Sequence, residues 1–141
     1  MRLFRRTRNQ DERRSAEAVE RDDAVGTEVQ APPAQESLRE RAAALTARLE
    51  EPADPEARIK LLNELGGVQQ ELGDNAAAID SYEASMALRE QFGPAYNGLL
   101  TLYNEQLKQA AKSRDDAAIQ QWTVKLDELT ALSKRVMRSQ Y

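Results

Sequence analysis

The sequence predicts an all-α protein of antiparallel helical hairpins behind a disordered amino-terminal tail, and three observations carry that expectation. Leu62, Leu65 and Gly66 recur at helical spacing before Gly73-Asp74, and Ala78, Ile79, Tyr82 and Met86 recur at helical spacing after it, so two short helices flank a tight turn. A shift of 34 residues then lays Asn63, Leu65, Gln70 and Glu71 on Asn97, Leu99, Asn104 and Glu105, which reads as a second copy of the same unit. Apolar stripes at helical spacing extend on either side, over residues 36–51 and 115–138.

The elements follow in order. Arg2, Arg5, Arg6 and Arg8 surround Leu3 and Phe4, and no apolar core of a signal peptide follows them. Glu17, Glu20, Asp22, Asp23 and Glu28 then turn the charge acidic before Pro32-Pro33. Residues 1–34 therefore read as a disordered basic-then-acidic tail, because too little apolar surface is present to offset the entropy of ordering it. Residues 35–141 read as the helical domain.

Ser37 with Glu40 has the spacing of a capping box, and Leu38, Ala42, Leu45 and Leu49 step along one stripe until Asp54-Pro55 ends the segment. The next helix runs from Glu56 to Leu72 and stops at Gly73, which can take a positive φ without a Cβ penalty. Asp74 or Asn75 caps a helix reaching to about residue 91. Pro94 fits the first turn of a helix ending near Ser113, since its missing N–H costs nothing there. Asp115 or Asp116 caps the last helix, where Ile119, Trp122, Leu126, Leu129 and Val136 continue a stripe.

The hairpin resembles a tetratricopeptide repeat, whose W-x2-L-G-x2-Y…A-x3-F pattern is matched by Leu62-x2-Leu65-Gly66-x2-Gln69 followed by Ala78-x3-Tyr82. In the second copy Tyr96 takes the place of Leu62 and Tyr103 that of Gln69, while Leu100 stands where the family prefers Gly. Its second helix matches at a shift of 40, Ala77-Ala78-Ile79-Asp80-Ser81-Tyr82 meeting Ala117-Ala118-Ile119-Gln120-Gln121-Trp122, so six residues are inserted near Lys108 to Arg114. The resemblance implies about two repeats with flanking helices.

Composition narrows the function. With no Cys and no His, the chain has no disulfide, no thiolate nucleophile, no imidazole base and no zinc site built on either side chain. Asp74, Asp80, Asp115 and Asp116 fall near helix starts, where carboxylates are electrostatically favoured, and have no partner of opposite catalytic role. Gly66-Gly67 lies inside a helical pattern with no Gly-Lys-Ser/Thr after it, which argues against a phosphate loop. No catalytic residue, metal or cofactor is therefore expected, and the chain reads as a cytoplasmic non-enzyme.

The resemblance implies instead an adaptor that takes a segment of another protein on the first helix of each copy. On that face the register places Asn63 with Asn97, Gln70 with Asn104 and Glu71 with Glu105. Chaperone-binding members of the family clamp a terminal carboxylate with Lys, Arg and Asn. Here Lys60 is the one cation near that register, and Gly67 and Thr101 replace a further polar clamp position, so an internal and basic partner segment is favoured. The alternative is an assembly subunit packing edge to edge. Two weaker contacts are expected: homodimerisation through Leu126, Leu129 and Val136, and an anionic membrane against residues 1–14. Nucleic acid is disfavoured, because Tyr82, Tyr96, Tyr103 and Trp122 occupy packing positions.

Overall fold

The computed structural model describes residues 33–140. The tail expected over residues 1–34 lies outside them except for its last two positions, which are already helical. Five helices make up the described chain: α1 (Pro33–Leu49), α2 (Pro55–Glu71), α3 (Asn75–Leu88), α4 (Pro94–Lys112) and α5 (Asp116–Gln140). Among the described residues there is no strand, and no helix is long and apolar enough to cross a membrane.

Local chemistry sets the boundaries. Pro33, Pro55 and Pro94 each open a helix, where a fixed φ helps and a missing N–H is harmless. The start of α1 at Pro33 corrects the capping box expected at Ser37, which sits inside the helix. Asp54 caps α2 by accepting from Ala57 N at 2.8 Å, Asp74 caps α3 from Ala77 N at 3.3 Å, and Asp115 caps α5 from Ala118 N at 3.1 Å. α3 ends at Leu88, three residues earlier than expected, because Arg89 turns extended (φ −156°, ψ 121°).

One turn is used twice. After α2, Gly73 N donates to Gln70 O and Asp74 N to Gln69 O; after α4, Arg114 N donates to Ala111 O and Asp115 N to Ala110 O. Both are Schellman closures, which need a left-handed residue in the middle. Gly73 takes that conformation freely at φ 78°, whereas Arg114 takes it at φ 53° with a side chain attached.

Burial organises the helices into two cores. Leu45 of α1 packs on Leu61, Leu65 and Val68 of α2. Arg58 Nη1 ties that pair further by donating to the terminal carbonyl of α1, Leu49 O, at 3.0 Å. The second core joins α3, α4 and α5 through Ala78, Tyr82, Met86, Leu99, Leu102, Tyr103 and Leu129. Each large side chain so buried contributes about 1.5–3 kcal/mol. α2 packs on α3, α3 on α4, α4 on α5, and α2 also touches α4, so the two hairpins stand side by side.

Candidate functional site

The α2–α3 contact is where glycine and tyrosine meet. A Cβ on Gly66 would stand 2.6 Å from Tyr82 Cε1, and one on Gly98 would collide with the opposite edge of the ring at Cε2. Tyr82 is thus a wedge held between α2 and α4, only 4% exposed. Burial raises the pKa of its phenol, which stays protonated and donates to Gln70 Oε1 at 2.7 Å. Two more hydroxyls of α3 reach the same helix: Ser81 donates to Gln69 Oε1 and Ser85 to Asn63 Oδ1, each at 2.6 Å.

Those bonds decide which predicted residues face a partner. Asn63 and Gln70 are half-buried, and their carbonyl oxygens are committed to α3. Lys60 and Glu71 are exposed on α2, and Asn97, Thr101, Asn104 and Glu105 are exposed on α4 at helical spacing. Asn104 donates to its own helix at Leu100 O, 2.9 Å away. The structure therefore brings the two stripes onto helices in contact, but with two of the eight side chains drawn into the hairpin. Leu100 was absent from the predicted set. It is 40% exposed amid Asn97, Thr101 and Asn104, and its signal was an apolar residue at the place where the family has Gly.

The other side of the second core carries a cleft of about 320 Å³ between α3 and α5, floored by Met86, Leu99 and Leu129. A second hollow of about 270 Å³, lined by Ile79, Asp80 and Trp122, lies across the Glu83–Lys125 bridge. Glu83 Oε2 accepts from Tyr103 Oη at 2.7 Å and from Lys125 Nζ at 3.0 Å. Burial, and then the bond to Glu83, push the Tyr103 phenol far above its usual range. The bond to Glu83 likewise raises Lys125. Nearer the helix ends, Arg135 donates to both carboxylate oxygens of Glu90, at 3.1 and 2.8 Å. That fork lowers Glu90 and raises Arg135. None of the eight predicted residues lines either hollow.

The stripe expected to support a dimer is spent inside the chain. Leu129 and Val136 are each 4% exposed, and Leu126 packs against the second core. No family model matches this chain, and no curated protein or solved structure is significantly similar to it.

Proposed function

We propose that the protein is a tetratricopeptide-like adaptor that binds a segment of another protein across α2 and α4. The observation that carries this reading is the exposed row on α4, in which Leu100 offers an apolar anchor among the amides of Asn97 and Asn104 and the hydroxyl of Thr101. Such side chains hydrogen-bond the backbone of a bound segment at about 0.5–1.5 kcal/mol net each. Glu71 and Glu105 at the edges favour cations in that segment. The reading includes no catalytic step and no cofactor, and it puts the protein in the cytoplasm, in keeping with a chain free of Cys.

A pull-down followed by titration tests it. The double variant Asn97→Ala with Leu100→Ala should bind the recovered partner about tenfold or more weakly, a loss of about 1.4 kcal/mol or more, with its melting temperature unchanged. Full affinity would move binding off this face. The assembly reading draws on a different observation: Leu88 and Phe92, 44% and 41% exposed, leave an apolar edge where α3 passes to α4. A concentration-dependent mass in light scattering, abolished by Phe92→Ser, would support it.

A further inference from the structure

We infer that the α3–α5 cleft is a second docking site, one that takes a peptide segment presenting a leucine-sized side chain beside a cation. The inference rests on a different face from the α2–α4 reading and stands without it.

The floor supplies the apolar half. Met86, Leu99 and Leu129 are 6%, 2% and 4% exposed, yet they line a cleft of about 320 Å³ that opens to solvent between α3 and α5. That volume is in the range of clefts that seat small ligands and single anchoring side chains.

The wall supplies the charge. Lys125 is bonded to Glu83 and Arg135 is forked on Glu90, so both cations of the wall are already occupied. Glu128 lines the same cleft, is exposed, and has no ion-pair partner among the described residues. Two carboxylates and two cations line the cleft, and because Glu90, from outside the lining, neutralises Arg135, the charge left over is the carboxylate of Glu128. The negative field reaches the neighbouring groups, since both Glu83 and Glu128 favour the protonated forms of Tyr103 and Lys125. Both bonds that Glu83 accepts fall on Oε2, so its Oε1 has no hydrogen-bond partner among the described residues. An incoming guanidinium or ammonium therefore finds the Glu128 carboxylate and the Oε1 of Glu83, both without a partner among the described residues, while its apolar neighbour covers the floor. An acidic segment meets repulsion instead.

Titration of the full-length ¹⁵N-labelled protein with acetyl-Arg-Leu-Arg-amide tests this, read by amide chemical shifts. The expected result is saturable shifts centred on Met86, Leu129 and Leu132, at least fivefold weaker in Glu128→Lys, with no saturation by acetyl-Glu-Leu-Glu-amide. Glu128 is exposed, so the variant should keep the wild-type circular dichroism. Shifts that do not saturate, equal binding of the acidic peptide, or shifts centred on Asn97 and Thr101 would each overturn the inference. So would shifts at the cleft residues that grow with protein concentration alone, since these would assign the cleft to a second copy of the chain.

Discussion

The two hairpins close the same contact with opposite chemistry. Between α2 and α3, Gly66 lets the Tyr82 ring lie against the helix backbone, and three side-chain hydrogen bonds run from α3 hydroxyls to α2 amides. Between α4 and α5, the positions that correspond to Gln69 and Tyr82 are Tyr103 and Trp122, whose rings pack with centroids 5.9 Å apart. The first hairpin is close and polar at its seam, and the second fills its seam with aromatic bulk. Added volume should therefore hurt the first, and removed volume the second.

The largest expected effect tests the second half of that contrast. Trp122→Ala should cost about 2–4 kcal/mol in urea unfolding, at or just below the range for aromatics truncated in a core, because Trp122 is only half-buried. A loss under about 1 kcal/mol would mean the second hairpin does not depend on its aromatic pair.

Next come the glycines. Gly66→Ala should destabilise by about 1–3 kcal/mol through the Tyr82 ring, whereas Gly67→Ala, whose Cβ would come no nearer than 3.8 Å to Tyr82 Oη, should gain up to about 1 kcal/mol from higher helix propensity. Thermal melts that move the same way for both variants would break the wedge argument. Asn63→Ala should cost about 1–3 kcal/mol, since it leaves Ser85, 2% exposed, without its acceptor.

The pH response should be smaller. Tyr103 and Lys125 have folded pKa values above their ordinary 10.0 and 10.5, so the stability they add is complete below about pH 10 and lost as pH rises through the folded values. Glu90 is held below its ordinary 4.5, so its contribution is present above that pH and lost as acid protonates it. Melting temperatures of wild type and Tyr103→Phe, compared from pH 8 to about 11, should converge as the pH rises.

Much of the fold was legible because its punctuation is local. Gly73-Asp74, Pro94 and Asp115 each act within one turn, and the helices begin and end within a few residues of the positions they imply. The site was legible only in part, because helical spacing fixes a face but not its rotation. Asn63 and Gln70 share a stripe with Lys60 and Glu71, yet they stand at its edge, and the hydroxyls of Ser85 and Tyr82 draw them inward. The 34-residue register put Leu100 opposite Gly66, but the backbone that meets Tyr82 is Gly98, two residues earlier. Such a shift of half a turn depends on the wedge, which involves three helices and has no signature in any one of them.

The chain's lack of cysteine allows the binding face to be mapped with single labels. Thr101→Cys on the α4 row and Ala131→Cys on the rim of the α3–α5 cleft, each carrying a benzophenone, would be illuminated with the partner recovered by pull-down. The account predicts a cross-link from position 101 and none from 131. A cross-link from 131 alone would contradict it and place that partner in the cleft.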